Sequence, residues 1–259
     1  MMREKRIEAM GQYILKKHTV SMKELAQTFS ISQNTLRRDL GILLEDARFK
    51  KVYGGVTVNE ENTLVDFSER HQRTITEKKQ IGQCAAHLIV PNDLIFIDSG
   101  TTTAEMAPYL PQDFHFTLIT NSLQLLNAAA RLQNINLIIV GNHFNYRTQS
   151  FTGTETDALF QNYNISKAFM SATALSISNG VTNSDLEEFK IKSAVMNKAQ
   201  VNTLQKNILL LDHTKFGKTA LLTYAKVQQF DSIIYTKKMP QKYLDFFKEH
   251  QVNLIPARA

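Results

Sequence analysis

From residue 77 to the C-terminus, short apolar runs alternate with amphipathic ones, and this alternation leaves few architectures open. "EKKQIGQCAAHLIV" reads as a helix and "PND" as a turn, after which "LIFID" is a strand, "TTAEMAPYL" a helix, "FTLIT" a strand and "SLQLLNAAARL" a helix. The series continues with the strand "NLIIV", the helix "TETDALFQNY", the strand "KAFMSA", the helix "DLEEFKIKSAVMNKA" and the strands "NILLLD" and "SIIYT". It closes with the helix "PQKYLDFFKEH" and the strand "VNLI". Strands that are apolar on both faces need cover on both faces, so the expected fold is α/β, with a mostly parallel sheet between helical layers. Ligands of such sheets bind at the carboxyl ends of the strands.

Residues 1–58 follow a different pattern. A first helix is expected from about Arg3 to Lys17, with Ile7, Met10 and Ile14 as its apolar stripe. Ser21 opens a second helix, and Glu24 three residues later suggests a capping box; Leu25, Ala26 and Phe29 point inward. Ser32 caps a third helix, "QNTLRRDLGILLED", in which Leu36, Leu40, Leu43 and Leu44 form the inner side. Its outer side carries Asn34, Thr35 and Arg38, with Arg37 at the edge and Gln33 at the start. "RFKKVYGGVTV" then reads as a hairpin about its Gly-Gly pair.

That outer face has the chemistry of base readout: Asn and Gln pair with adenine, and Arg with guanine or a phosphate. Two helices joined by a tight turn form a helix-turn-helix. Lys50, Lys51 and Tyr53 on the hairpin are placed to follow the DNA backbone. Charge agrees. Residues 1–58 hold 11 Lys+Arg against 6 Asp+Glu, a net of +5, while residues 59–259 hold the remaining 19 and 18. A basic module on a near-neutral body implies a polyanionic partner for the first part only. Residues 59–76, "NEENTLVDFSERHQRTIT", are polar without sustained periodicity and read as a linker, leaving 77–259 as the second domain.

Other features narrow the class. No apolar run approaches the roughly eighteen residues of a membrane span, and the charged N-terminus lacks a signal-peptide core, so no membrane association and a cytoplasmic location are expected. The single cysteine, Cys84, permits no internal disulfide. The scattered His71, His87, His115, His143 and His250 show no metal-ligand spacing, so neither metal nor cofactor is expected.

The turn "DSGTTT", Asp98 to Thr103, follows the strand "LIFI". Gly100 lets the backbone approach a ligand, Ser99, Thr101, Thr102 and Thr103 offer hydroxyls, and a following helix N-terminus favours an anion. "TNS", Thr120 to Ser122, is a second hydroxyl and amide turn at the same predicted edge, and Gly141 ends a third strand. "DHTKFGK" brings Lys215, a point charge suited to phosphate. Glu187 and Glu188 are candidate polar contacts, or equally a solvated helix face.

"SMKELAQTFSISQNTLRRDLGILLE" followed by "KKVYGGV" resembles the DeoR-type bacterial repressors of sugar catabolism, with their serine-initiated second helix and Gly-Gly wing. "DSGTTT", "TNS" and "DHTKFGK" resemble that family's effector domain, in its order, so the likeness spans almost the whole chain. "SDLEE", Ser184 to Glu188, with "SATALSISNGVT", is most similar to the deoxyribose-operon branch. The resemblance implies a winged helix-turn-helix followed by a ribose-phosphate-isomerase-like domain that binds a phosphorylated sugar, with deoxyribose 5-phosphate the first candidate. It also implies operator DNA as partner and a homo-oligomer, dimer or tetramer.

The alternative is a sugar-phosphate isomerase with an accessory DNA-binding module. Isomerisation needs a base beside the carbonyl. Family members often carry an aspartate after the strand matching "KAFMSA", whereas "SATALS", Ser171 to Ser176, holds no acid. The expectation is therefore a sensor with no catalytic residues.

Overall fold

A computed structural model describes residues 3–17, 19–45, 49–58, 65–153, 160–201, 204–236 and 239–258. The chain divides into two compact units, Met1–Thr63 and Leu64–Ala259.

The first unit contains α1 (Arg3–Lys17), β1 (Thr19–Ser21), α2 (Met22–Thr28), α3 (Gln33–Leu43), β2 (Phe49–Val52) and β3 (Gly55–Val58). Met10 and Ile14 of α1, Leu25 of α2, and Leu36, Leu40 and Leu43 of α3 are buried together with Phe49, Val56 and Val58 of the hairpin. β1 was not expected; it completes a three-stranded antiparallel sheet in the order β1-β3-β2. Its arrival explains the Gly pair. Gly54 turns the hairpin at φ 76°, and at Gly55 a Cβ would lie 2.3 Å from the Val20 carbonyl oxygen of β1. The capping box is half realised: Ser21 Oγ accepts from the Glu24 N–H at 3.1 Å, but the Glu24 carboxylate accepts from the Tyr13 hydroxyl at 2.9 Å instead of reaching back.

The second unit is built on a seven-stranded, wholly parallel sheet. Its strands are β4 (Leu94–Ile97), β5 (Phe116–Thr120), β6 (Ile135–Ile139), β9 (Lys167–Ser171), β12 (Lys206–Leu211), β14 (Ser232–Tyr235) and β15 (Asn253–Pro256). These are the seven strands expected from the apolar runs. They lie in the order β15-β14-β12-β9-β4-β5-β6. The chain thus starts at β4, builds outward to β6, then returns to the other side of β4 and builds outward to β15. The β4–β9 boundary is the topological switch point, where the connections diverge and leave a crevice.

Helices cover both faces. α5 (Ile75–Ala86), a 3₁₀ helix (Thr103–Tyr109) and α6 (Leu123–Ala129) pack on the side facing Ile95, Ile97 and Leu118. α7 (Leu186–Val201) and α8 (Gln241–Glu249) pack on the side facing Phe96, Met170 and Leu209. Each strand therefore presents apolar residues to two cores, as an unalternated apolar run requires. The hairpin β7 (His143–Asn145) and β8 (Ser150–Thr152), and a small sheet of β10 (Ala174–Ser176), β11 (Gly180–Asn183) and β13 (Leu222–Ala225), complete the unit.

Two expectations gain detail. Within the segment read as a linker, residues 65–76 carry α4 (Phe67–Gln72) and the start of α5. α4 has only six residues, too few to show a period, and is anchored by the single buried Phe67. "TTAEMAPYL" is 3₁₀, not α, over Thr103–Tyr109, with Pro108 inside it. Proline lacks the N–H of an α-helical bond and its ring clashes with the preceding turn. Residues 59–64 of the expected linker and most of the helix expected at "TETDALFQNY" lie outside the described residues.

Candidate DNA-binding face and sensor site

On α3, Ser32 caps the helix by accepting from the Thr35 N–H at 3.2 Å, and its hydroxyl is 2.9 Å from the Thr35 hydroxyl. Gln33, Asn34, Arg37 and Arg38 are exposed and Thr35 is half-buried. Asp39 is buried, held by Arg6 Nε at 2.8 Å and Arg3 Nε at 3.2 Å. Burial alone would raise its carboxyl pKa, but the two guanidiniums reverse this and hold it below the usual value. The pair thus fixes α3 against α1 with the outer face free. Lys50 and Lys51 of β2 and Tyr53 at the hairpin tip are exposed.

In the second unit, the turns after β4, β5, β9 and β12 meet at the carboxyl edge of the sheet. Asp98 follows β4 and is buried. Its Oδ2 accepts from Ser171 N–H at 2.9 Å, from Ser171 Oγ at 2.6 Å and from the Lys192 ammonium, while Oδ1 accepts from Ser99 N–H at 2.7 Å. Lys192 Nζ also donates to the Ser171 carbonyl at 3.1 Å and lies 5.3 Å from the Tyr224 ring centroid. The Tyr224 hydroxyl donates to the same carbonyl at 2.7 Å. Gly100 is required here by space: a Cβ would stand 1.8 Å from Ser171 Oγ.

Ser99 Oγ donates to Glu188 Oε1 at 2.9 Å, Ser150 Oγ donates to the same oxygen at 3.1 Å, and Asn121 Nδ2 donates to Ser99 Oγ at 3.2 Å. Burial raises the Glu188 pKa, against the opposing pull of Lys192 and Arg70. Glu187, one residue earlier, faces away and pairs with Lys190 at 2.7 Å. The two glutamates left open by the sequence are therefore different in kind, and Glu188 is the one in the site.

The remaining expected residues divide. Thr101, Thr102 and Thr103 are buried, and Thr103 Oγ1 donates to the Asp98 carbonyl at 2.7 Å. Thr120 Oγ1 donates to the Ile97 carbonyl at 2.7 Å, and Ser122 caps α6. Of "TNS", only Asn121 reaches the Ser99–Glu188 network, and its Oδ1 is buried with no hydrogen-bond partner among the described residues. Gly141 adopts φ 99° and a Cβ there would meet Phe151 and Thr152 backbone at 2.7 Å, so the backbone conformation and the approach of β8 both account for this glycine.

Lys215 stands in the turn after β12. Removal from water is the first cause that lowers its pKa; Asp212 opposes, and Arg70, Lys218 and Arg73 add to the lowering. Lys78 of α5 is buried, and its pKa falls to about 8, first through burial and then through the Lys215 charge. Asp212 accepts from Thr214 N–H at 3.0 Å through Oδ1, while its buried Oδ2 has no hydrogen-bond partner among the described residues. Beside this turn a cavity of about 900 Å³ opens between α5 and the ends of β12, β14 and β15, lined by Gln72, Glu77, Gln80, His213, Thr236 and Arg258 among others. His213 Nδ1 and Thr236 Oγ1 bond the Glu77 carboxylate at 2.8 and 2.9 Å.

Sequence reasoning missed Lys78, Ser171, Lys192 and Tyr224. A signal existed for the lysines. Lys78, Ile81, Gly82 and Ala85 occupy the i, i+3, i+4, i+7 stripe of α5, and Glu188, Ile191, Lys192 and Val195 that of α7, all buried. A charge on a buried stripe marks a partner or a ligand.

Fold and site together define a DNA-binding module carrying a small-molecule sensor domain. Residues 6–62 match the DeoR-like helix-turn-helix domain, and residues 73–237 match the DeoR C terminal sensor domain. The chain is 44% identical to the HTH-type transcriptional regulator IolR of Bacillus subtilis, over 96% of this chain and 97% of that one. It is 26% identical to the deoxyribose operon repressor of Escherichia coli K12, over 98% of both chains. Among solved structures it is similar to ribose 5-phosphate isomerase A of Methanocaldococcus jannaschii at 15% identity, over 54% and 53% of the two chains, with a TM-score of 0.38, a likeness too distant to carry any residue's role. The chain belongs to the DeoR family of DNA-binding transcriptional regulators. It is a regulator, not an enzyme.

No helix among the described residues is long and apolar enough to cross a membrane, and no three His, Cys, Asp or Glu side chains among them converge as a metal site.

Proposed function

We propose that the chain represses a sugar or nucleoside catabolic operon in the cytoplasm, and that a phosphorylated sugar releases it. Residues 1–58 act as the winged helix-turn-helix. Gln33, Asn34, Thr35, Arg37 and Arg38 read base edges, Ser32 sets the start of the recognition helix, and Lys50, Lys51 and Tyr53 follow the backbone. Residues 77–259 sense the ligand and hold a dimer or tetramer, so that pairs of modules match operator half-sites. The repressor assignment and the sugar class draw support from named relatives such as the deoxyribose operon repressor.

The observation that carries the ligand reading is the pair formed by the buried Lys78 of α5 and Lys215 of the turn after β12. Burial and then the Lys215 charge lower the Lys78 pKa, while Asp212 and Glu105 of the 3₁₀ helix oppose them. A phosphate dianion relieves that repulsion. The cavity lined by Gln72, Gln80, His213 and Thr236 shares the Lys215 turn and offers hydroxyl, amide and imidazole partners to a sugar. Asn121 and Glu188 supply further polar contacts.

The test is a thermal-shift screen of pentose and hexose phosphates, deoxyribose 5-phosphate included, each beside its unphosphorylated sugar. A ligand binding only the folded state raises apparent stability. At least one phosphate ester is expected to stabilise the protein where its parent sugar does not. Equal stabilisation by ester and parent sugar would remove the phosphate from the account.

A further inference from the structure

Arg70 lies on α4, before the residues matched to the sensor family. Its Nε donates to the Val65 carbonyl at 2.8 Å and its guanidinium is 5.8 Å from the Phe67 ring centroid. Its Nη2 is out of contact with water and, among the described residues, has no acceptor. A buried charged donor without an acceptor is costly, and such a group calls for an account in terms of what it binds. The groups that feel its charge are Lys78 of α5, Lys215 after β12 and Glu188 of α7. Those three come from separate elements and all belong to the sensor site.

α4 is clasped to the same site by its backbone and flanks. Phe67 N–H donates to the Arg147 carbonyl at 2.8 Å, and Arg147 Nε pairs with Asp66 at 3.1 Å. His71 Nε2 meets Glu105 Oε1 at 2.5 Å, and the Lys78 ammonium donates to the Arg70 carbonyl. Val65, which holds the other end of the guanidinium, is the second residue of the sensor unit, directly after the chain leaves the helix-turn-helix unit.

We propose that Arg70 grips the phosphate of the ligand through its unpartnered Nη2, and that this contact fixes the segment Val65–Arg73 that leads out of the DNA-binding unit. The proposal rests on the reading of the site as a sugar-phosphate sensor. A guanidinium offers a planar fork that matches phosphate oxygens. With Nε on the Val65 carbonyl and Nη2 on the ligand, one side chain ties occupancy of the site to the connecting segment. The ligand thereby gains the differential affinity between two states that any switch requires.

The experiment uses the full-length protein with inorganic phosphate as probe, read by thermal shift and by hydrogen exchange over residues 65–73. Wild type is expected to bind phosphate saturably and to slow exchange in that segment. Arg70→Gln is expected to fold, since it removes an unpaired charge, to bind phosphate at least tenfold more weakly, and to lose the slowing. Arg70→Lys, which keeps the charge but not the fork, is expected to be several-fold weaker and serves alone if the glutamine variant does not fold. If Lys215→Ala loses phosphate while the Arg70 variants bind within twofold of wild type, the role of Arg70 is overturned and the sensor reading stands. If wild type binds phosphate with unchanged exchange at 65–73, the link to the segment is overturned. If wild type binds none, both readings fall.

Discussion

The Lys192 ammonium donates to the Asp98 carboxylate at the switch point of the sheet, with their side chains 2% and 1% exposed. Asp98 also accepts from Ser171 and Ser99, so the pair ties the turn after β4 to the end of β9 and to α7. A buried pair of this kind adds little net stability, but breaking it leaves a bare charge in the core. Lys192→Met is expected to destabilise the sensor unit by about 3–5 kcal/mol. The double variant Asp98→Asn with Lys192→Met should recover much of that loss. Urea denaturation of the four proteins measures the coupling; purely additive losses would show that the two residues do not act together.

Gly100→Ala places a methyl group 1.8 Å from Ser171 Oγ. Ser171 must then leave Asp98, because β4 and β9 are paired neighbours and cannot separate. The expected cost is about 1–3 kcal/mol, together with loss of ligand response. Wild-type stability in this variant, measured by thermal unfolding, would mean that the turn is looser than described.

Lys78 gives the account a pH dependence. Its folded-state pKa, about 8, lies below the ordinary 10.5, so between those values the unfolded chain binds more protons than the native one. Stability should therefore rise with pH from about 8 to about 10.5, as the penalty on the buried ammonium is relieved. Ligand affinity should move the opposite way, since an anion favours the charged form. Above pH 8 it should fall by up to about tenfold per unit, with proton uptake on binding. Calorimetry in buffers of different ionisation enthalpy reads the uptake, and Lys78→Met should abolish it.

On the DNA-binding unit, Arg38 is exposed on the outer face of α3 and Lys51 on β2. Arg38→Ala should weaken binding to a promoter fragment that wild type recognises by about 1–3 kcal/mol and relax sequence preference. Lys51→Ala should weaken specific and non-specific binding alike and reduce the salt slope by about one. Fluorescence anisotropy across a salt series separates them. Equal salt slopes for wild type and Lys51→Ala would take the wing off the backbone.

Acid should loosen this same unit through Asp39. Its carboxyl is held below the usual value by Arg6 and Arg3 despite burial, so its contribution is present above about pH 4 and is lost as pH falls below that value. Asp39→Asn should flatten the acid limb of the unfolding profile, measured by circular dichroism. An unchanged limb would show that Asp39 does not titrate with unfolding.

The seven sheet strands were legible because each is a short apolar run that must be buried on both faces, and the three helices of the first unit because their apolar stripes and serine caps agree. The short strands β1, β7, β8, β10, β11 and β13 span three or four residues, fewer than a period needs to declare itself, and β1 and β13 pair with strands far along the chain. Pro108 was visible, yet its effect on the helix type depended on how tightly the 3₁₀ segment packs against α5 at Gly82, where a Cβ would lie 2.4 Å from the Glu105 carbonyl carbon.

The site was legible in its turns and illegible in its charges. Asp98, Ser99, Gly100 and Asn121 announce themselves as small polar residues after strands. Arg70 lies in a stretch with no period, and Lys78 and Lys192 are charged residues on helix stripes whose other members are core. Glu188 and Glu187 are adjacent and alike in composition; only the direction of α7 sends one to Ser99 and the other to Lys190.

The central claim is that a phosphorylated sugar binds at the carboxyl edge of the sheet through Lys215 and its neighbours. Isothermal titration of wild type and Lys215→Ala with the best stabiliser from the screen tests it directly. The account predicts saturable binding to wild type and at least tenfold weaker binding to the variant, with no isomerised product in the cell after titration. Equal affinity for the two proteins, or turnover of the sugar, would contradict it.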